Sequence, residues 1–169
     1  MKSLEEIATM YRYTLGFILK NDEILMVNRE KNPWKGCWNG LGGKIEEGEE
    51  PLASMIREIE EETNLIVSPA QVIYKGSLTW NTFTAEGQGL YIYLIHLDQN
   101  LKYLAPIKLR EGILDWKKID WIMDKDNLGV AYNIPYFLPF VLNDQKIYHY
   151  HCTFNGNILE SVEQKEITP

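Results

Sequence analysis

The stretch WNGLGGKIEEGEE, residues 38–50, runs directly into PLASMIREIEEET, residues 51–63. Its first part places four glycines among four glutamates. Glycine loses backbone entropy on folding and neighbouring like charges repel, so both features are unfavourable unless something offsets them. A functional demand or a positive partner is therefore expected here, and the rest of the chain is interpreted from this stretch outward.

The second part predicts a helix over residues 51–63. Pro51 suits a first helical turn, where its missing N–H is not needed, and the acidic pair Glu49 and Glu50 is favourable at a helix N-terminus. On a helical wheel one stripe is apolar and expected to be buried, namely Leu52, Ile56, Ile59 and Thr63. A different face gathers Glu58, Glu61 and Glu62 at spacings i, i+3 and i+4.

Two interpretations of this acidic face remain open. It is an ordinary solvated surface whose repulsion Arg57 and Lys44 moderate, or it is a carboxylate cluster for Mg²⁺ or Mn²⁺, which prefer oxygen ligands. The spacing favours the second interpretation. From Gly43 to Leu65 the chain reads G-x5-E-x7-R-E-I-x-E-E-x-N-L.

This pattern resembles the signature of the Nudix hydrolases, G-x5-E-x7-R-E-U-x-E-E-x-G-U, in which U is bulky and apolar. Only Asn64 departs from it, since the family has glycine there. Asn is the usual second choice for the left-handed conformation that ends a helix, so we expect the change to be tolerated.

The resemblance implies one Nudix domain over residues 1–169, with its signature at 43–65, folded as an α/β/α sandwich around a mixed sheet. It implies that Glu58, Glu61 and Glu62 bind Mg²⁺ or Mn²⁺ together with the carbonyl of Gly42. Arg57 and Glu49 are expected to pair and to hold the catalytic carboxylates. Glu111, in the loop LREG, is the favoured additional metal ligand or base, and the competing loop acid is Glu86.

The segment GCWNGLGGKIEEGE is also similar to that of MutT-type oxidised-purine nucleoside triphosphatases. There the asparagine contacts the base, so Asn39 is the expected counterpart; the alternative is a turn residue. Substrate binding is further assigned to Gly43, Lys44, Trp80, Phe83 and Asn133. Trp34, Trp80 and Phe83 offer stacking surface or, alternatively, simple packing. The acids that read an oxidised base in those relatives are replaced here by Asn133 and Ile134.

Composition limits the alternatives. A net charge of −7 argues against binding to polymeric nucleic acid, which favours a basic face. The sequence shows no signal peptide and no apolar run of membrane length, so a cytoplasmic protein is expected. Cys37 and Cys152 suggest plain thiols.

His96 is expected to be a core residue, and His149 and His151 to share one strand face. Nothing in the sequence indicates the oligomeric state.

The remaining pattern predicts strands at residues 13–19, 24–27, 72–79, 90–97 and 112–116, a helix at 133–142 and a closing hairpin around the turn NGN. The function expected first is Mg²⁺-dependent hydrolysis of a nucleoside triphosphate, such as an oxidised dNTP, to the monophosphate and pyrophosphate. The alternatives are hydrolysis of a nucleotide sugar, dinucleotide or other diphosphate, and a ligand-sensing domain without catalysis.

Overall fold

The computed structural model describes residues 10–32, 34–82 and 88–167. Within them lie the strands β1 (Tyr13–Lys20), β2 (Glu23–Arg29), β3 (Trp38–Asn39), β4 (Val72–Trp80), β5 (Leu90–His96), β6 (Ile107–Lys108), β7 (Gly112–Lys118), β8 (Ile147–Asn155) and β9 (Ile158–Ile167). The helices are α1 (Pro51–Thr63), α2 (Ile119–Met123) and α3 (Ile134–Asn143), and a 3₁₀ turn covers Pro69–Gln71. The predicted helix at 51–63 is confirmed, while α2, β6 and the 3₁₀ turn were not predicted.

The nine strands found in the described part of the chain form one mixed sheet. Its order is β6-β7-β2-β1-β5-β4-β8-β9, and β3 pairs with β2 outside this path. The pairs β1–β5 and β4–β8 are parallel, and the other pairs are antiparallel. The mixed sheet expected from the sequence is confirmed.

Two hydrophobic cores cover the two faces of this sheet. Because side chains alternate along a strand, Phe17 and Ile18 of β1 belong to different cores. Met55 and Ile59 of α1 pack in the core that contains Ile18. The core that contains Phe17 is closed by α2 and α3. The result is the α/β/α sandwich that the sequence predicted.

The buried face of α1 differs from the predicted stripe. Leu52 and Ile56 are only half-buried, whereas Met55 is fully buried. Glu58 and Glu62 lie on the buried side of the helix, and this is the finding that matters for function. They are one turn apart, so a single helical face presents both carboxylates inward.

The end of α1 follows the prediction. Asn64 adopts the left-handed conformation with φ 62° and ψ 9°, and its N–H donates a hydrogen bond to the Glu60 carbonyl. Asparagine therefore fills the capping position that glycine holds in the Nudix signature.

The prediction for His96 is wrong, because this last residue of β5 is exposed. His149 and His151 do share a face of β8. The hydroxyl of Thr79 lies 3.1 Å from His149 Nε2 and 2.9 Å from His151 Nδ1. Cys37 and Cys152 are both free thiols. None of the described helices is long and apolar enough to cross a membrane.

Candidate active site

The glycine-rich loop is fixed by the backbone of β1. Gly16 and Leu41 exchange hydrogen bonds of 2.6 and 2.9 Å, and the Thr14 N–H donates to the Gly43 carbonyl at 3.0 Å. The backbones approach so closely that a Cβ at Gly42 would stand 2.0 Å from the Thr14 carbonyl oxygen. Glycine is therefore required at Gly42, which also has a φ of +153°.

Gly43 has a different role. A Cβ there would stand 2.5 Å from Glu58 Oε1, so the loop leaves room for the carboxylate of α1. Glycine at this position allows the Glu58 side chain to lie directly against the loop backbone. The loop and the helix thus form one structural unit, as the resemblance implied.

Arg57 links the acidic residues of this unit. Its Nε and Nη2 donate to the two carboxylate oxygens of Glu49 at 2.8 and 2.9 Å. Its Nη1 donates to Glu58 Oε1 and to Glu61 Oε2, both at 3.1 Å. A two-pronged guanidinium–carboxylate contact fixes geometry as well as charge, and it lowers the pKa of Glu49 to about 2. The expected pairing of Arg57 with Glu49 is present.

Glu62 is the most unusual group of the site. It is 9% exposed, and neither carboxylate oxygen has a hydrogen-bond partner among the described residues. Burial, together with the neighbouring charges of Glu111 and Glu58, raises its pKa to about 9. Burial also raises the pKa of Glu58, although Arg57 opposes that shift. Buried acids without partners are unfavourable unless a cation joins them.

The three predicted metal ligands are therefore not equivalent. Glu58 and Glu62 are buried, whereas the Glu61 side chain is 59% exposed and is turned toward Arg57. Glu111 lies just before β7, and its charge acts on both Glu58 and Glu62. In the part of the chain that the structure describes, no group of three or more acidic, histidine or cysteine side chains is arranged to hold a metal ion.

A cavity of about 460 Å³ has Gly42, Gly43, Lys44 and Glu111 among its lining residues. Glu58 and Glu61 line a second pocket, which shares Lys44 with the first. The rest of the wall includes the predicted residues Trp34, Asn39, Trp80 and Asn133, together with Leu15, Leu78 and Leu90. One cavity thus combines residues of the glycine loop and a carboxylate with aromatic rings and amide side chains.

The proposed base-contacting residues also have structural contacts. Asn39 Oδ1 accepts a hydrogen bond from the Gly40 N–H at 2.8 Å, which fits the turn interpretation as well. Asn133 is buried, with Nδ2 3.9 Å from Cys152 Sγ. Trp34 packs edge-to-face on Tyr132 at 4.9 Å between ring centroids. Phe83 and the competing acid Glu86 lie outside the described residues.

The sequence analysis did not single out three basic residues of the cavity wall, Arg29, Lys31 and Arg110. Arg29 ends β2 and Arg110 precedes β7, and these strands are antiparallel neighbours. The motif LREG next to a strand was visible in the sequence. This segment lies beside NREK, residues 28–31, because β2 pairs with β7, and the sequence pattern did not reveal that pairing.

Comparison with known proteins agrees with this architecture. The family model described as NUDIX domain matches residues 10–137. An ADP-ribose pyrophosphatase from Methanocaldococcus jannaschii is 47% identical over 51 residues, which is 30% of this chain and 30% of that protein. An oxidized purine nucleoside triphosphate hydrolase from Mus musculus is 25% identical over 139 residues, 82% of this chain and 84% of the mouse protein.

Among solved structures, a MutT protein from Bacillus halodurans matches with a TM-score of 0.72 at 23% identity, covering 90% of this chain and 96% of that one. At this identity the likeness concerns the fold. The chain therefore belongs to the Nudix family, whose hydrolases act on nucleoside diphosphate derivatives and generally use divalent metals such as Mg²⁺ or Mn²⁺.

Proposed function

We propose that this protein is a Mg²⁺-dependent pyrophosphatase that converts a nucleoside triphosphate and water into the nucleoside monophosphate, pyrophosphate and a proton. The observation that carries the proposal is one cavity lined by the glycine loop, a carboxylate, aromatic rings and amides. A metal-bound phosphate chain would lie along Gly42, Gly43 and Glu111. Trp34 and Trp80 offer flat apolar surface along the wall, and the amides of Asn39 and Asn133 offer donors and acceptors suited to a base.

The chemistry of the acidic residues beside the glycine loop suits a hard divalent cation. The two oxygens of Glu62 are buried without hydrogen-bond partners among the described residues, and Glu58 and Glu111 add carboxylates beside them. Oxygen-rich, negatively charged donor sets suit Mg²⁺ or Mn²⁺. We assign Glu58, Glu62 and Glu111 as the main ligands, with Glu61 and the Gly42 carbonyl as further donors. The bound ion would neutralise phosphate charge and polarise a phosphoryl oxygen.

The protein's own groups supply positioning. Arg57 holds Glu58 and Glu61 by one nitrogen while Glu49 fixes the guanidinium, so the carboxylates are oriented before substrate arrives. The glycine loop lets the phosphate chain approach the backbone closely. Phosphoryl transfer depends mainly on such positioning and on charge stabilisation.

The amide side chains of the cavity favour a purine without fixing its oxidation state. Asn39 and Asn133 are neutral amides, and neither offers the choice of protonation that a carboxyl group has. An oxidised dNTP such as 8-oxo-dGTP is included because the mouse relative is named for oxidised purine triphosphates. ADP-ribose is the second candidate, since the archaeal relative named for it is 47% identical over 51 residues. We also place the protein in the cytoplasm, because both cysteines are free.

The test is pyrophosphate and phosphate release with Mg²⁺ from canonical dNTPs, 8-oxo-dGTP, ADP-ribose, NADH and diadenosine polyphosphates. Pyrophosphate from a triphosphate supports the proposal. Preferred turnover of ADP-ribose or a dinucleotide would contradict a triphosphate substrate and would support the second class of substrate instead. Binding without any turnover would indicate a ligand-sensing domain.

Two variants test the residues. Glu62→Gln should reduce turnover at saturating Mg²⁺ by a factor on the order of 10² or more, because a ligand to the cation is lost. Glu60→Gln is the matched control, since this glutamate of α1 is exposed. Equal rates in both variants would contradict the metal site. Asn39→Ala should alter the ranking of bases more than the rate; an unchanged ranking would make Asn39 purely a turn residue.

A further inference from the structure

One lysine outside the lining of the cavity contacts two tryptophan rings. The Nζ of Lys117, on β7, lies 4.1 Å from the ring centroid of Trp38 and 5.5 Å from that of Trp121. An ammonium group within about 6 Å of an indole centroid is attracted by the ring, and the attraction grows when the group is partly withdrawn from water. The Lys117 side chain is 24% exposed, and its Nζ lies 3.6 Å from Asp115 Oδ2.

Trp38 belongs to the segment that carries Asn39. The two residues form β3, and Trp38 lies opposite Asn28 of β2. Strands are usually longer than two residues, so β3 depends on its side chains and its neighbours for its position. Asn39 Oδ1 accepts a hydrogen bond from the Gly40 N–H at 2.8 Å, and the amide therefore takes its orientation from the backbone of this segment.

A second segment pairs with Trp38 and leads to the other amide of the cavity. The Trp38 N–H donates to the Gly129 carbonyl at 2.7 Å, and the Ala131 N–H donates to the Trp38 carbonyl at 3.0 Å. We call residues 127–131 the strap. Asn133 follows the strap by two residues, so the position of the strap determines where this amide enters the cavity wall.

The strap is also attached to Trp121 of α2. Asn127 Nδ2 donates to the Trp121 carbonyl at 2.8 Å. A Cβ at Gly129 would lie 3.6 Å from the Trp121 ring, so this ring packs beside the strap. The two rings that Lys117 contacts thus belong to β3 and to the helix that holds the strap.

We propose that Lys117 is a positioning residue for base recognition, and this inference rests on the proposed function. By attracting both indole rings, its ammonium group fixes β3 relative to the strap, and it thereby sets the position of Asn39 relative to Asn133. Selection among bases requires both amides to meet the polar groups of one ring system, because a polar group left unpaired is what penalises the wrong base. Lys117 acts through these residues and not by touching the nucleotide.

The experiment measures base selectivity by binding and by turnover. Isothermal titration gives Kd for dAMP, dGMP, dCMP and dTMP, which differ only in the base. Pyrophosphate release with Mg²⁺ gives kcat and KM for the corresponding dNTPs. Selectivity is the ratio of the weakest to the tightest Kd among the four monophosphates.

The variants separate the ring contacts from the charge alone. Lys117→Met keeps an apolar side chain and removes the ammonium group, whereas Lys117→Arg keeps a cation over the rings. Lys118→Met is the matched control, since it removes the next lysine of β7, which is exposed and paired with Asp22. Asp115→Asn removes the ion pair and leaves both ring contacts. Trp121→Leu removes the more distant ring, which is exposed.

Lys117→Met should lower the Kd ratio about fivefold or more, and Trp121→Leu about two- to threefold, because the more distant ring is attracted more weakly. KM for the preferred dNTP should change more than kcat, since the carboxylates of α1 are untouched. Lys117→Arg, Asp115→Asn and Lys118→Met should keep the ratio within about twofold of the wild type, since ion pairs near the surface contribute little.

An unchanged ratio in Lys117→Met, an equal loss in Lys118→Met or Asp115→Asn, or a wild type that binds all four monophosphates equally would overturn the inference. If Lys117→Met does not fold, an unchanged ratio in Trp121→Leu overturns it and a lowered ratio supports it. Pyrophosphate release by the wild type together with an unchanged ratio in Lys117→Met upholds the proposed function alone. If the wild type releases no pyrophosphate from any dNTP while Lys117→Met still lowers the Kd ratio, the proposed function fails and Lys117 remains a positioning residue.

Discussion

Replacing Gly43 by alanine should separate activity from stability. The new Cβ would stand 2.5 Å from Glu58 Oε1 and 2.7 Å from its Cδ. Ordinary non-bonded contact requires about 3.5 Å, so the carboxylate must move by about 1 Å. The clashing atoms are the end of a flexible side chain, and they can turn away. A misplacement of about 1 Å in a catalytic site costs on the order of 10²-fold in rate.

Stability should change little in this variant. The φ of Gly43 lies outside the left-handed region, so alanine is compatible with the backbone and removes some entropy from the unfolded chain, which stabilises by about 0.4–1 kcal/mol. Gly42→Ala is the contrasting control. Its Cβ would stand 2.0 Å from the Thr14 carbonyl oxygen, and this backbone atom cannot move without displacing β1. We expect Gly42→Ala to lower the free energy of unfolding by about 1–3 kcal/mol or more, the range found for overpacked sites.

The assay pairs thermal unfolding with pyrophosphate release for the wild type and both variants. Gly43→Ala should melt within a few degrees of the wild type and retain about 1% of its kcat/KM. A stable Gly43→Ala protein with at least half of the wild-type activity would refute the reasoning, because it would show that the position of Glu58 against the loop is not needed. A strongly destabilised Gly43→Ala would show that Glu58 cannot turn away.

Three further predictions concern α1. Burial raises the pKa of Glu62 to about 9 in the folded protein, whereas an ordinary glutamate has a pKa near 4.5. The free energy of unfolding of the metal-free protein should therefore fall as pH rises through this interval, and Glu62→Gln should remove the dependence. Urea unfolding of both proteins at pH 5 and 8 tests this, and the same pH dependence in both proteins would contradict it. Arg57→Lys should lower kcat about tenfold or more because lysine cannot make the two-pronged contact with Glu49, and steady-state rates matching the wild type would contradict this. Asn64→Ala should lower stability by about 1 kcal/mol while Asn64→Gly leaves it nearly unchanged, and equal melting temperatures for the two would disprove a capping role.

The helix of the site was predictable because its signals are local. Pro51 marks the beginning and Asn64 the end of α1, and the structure places both as expected. The spacing of the glutamates follows from the helix itself. These features depend on residues within a turn or two of one another, so the sequence contains all the information that they require.

Burial was less predictable, since it depends on what lies across from each residue. A wheel ranked by hydrophobicity placed Leu52 and Ile56 inward, but the buried face of α1 carries Met55, Glu58 and Glu62. His96 continues an apolar strand pattern and still lies exposed where β5 ends. The presence of Arg29 and Arg110 in the lining of one cavity has the same origin, because it depends on the pairing of β2 with β7.

The burial of Glu62 connects the fold to its chemistry. A helix that turned this face to solvent would avoid placing two partly desolvated carboxylates one turn apart, which is unfavourable for the protein alone. The same helix packs Met55 and Ile59 into the core, and these neighbours hold Glu58 against the glycine loop, with Glu62 buried one turn further along. Core packing therefore sustains an arrangement that becomes favourable when a cation is bound. A carboxylate pair held in place by the hydrophobic core needs no reorganisation of the helix when the metal and its phosphate ligand arrive, which is the condition for efficient electrostatic stabilisation.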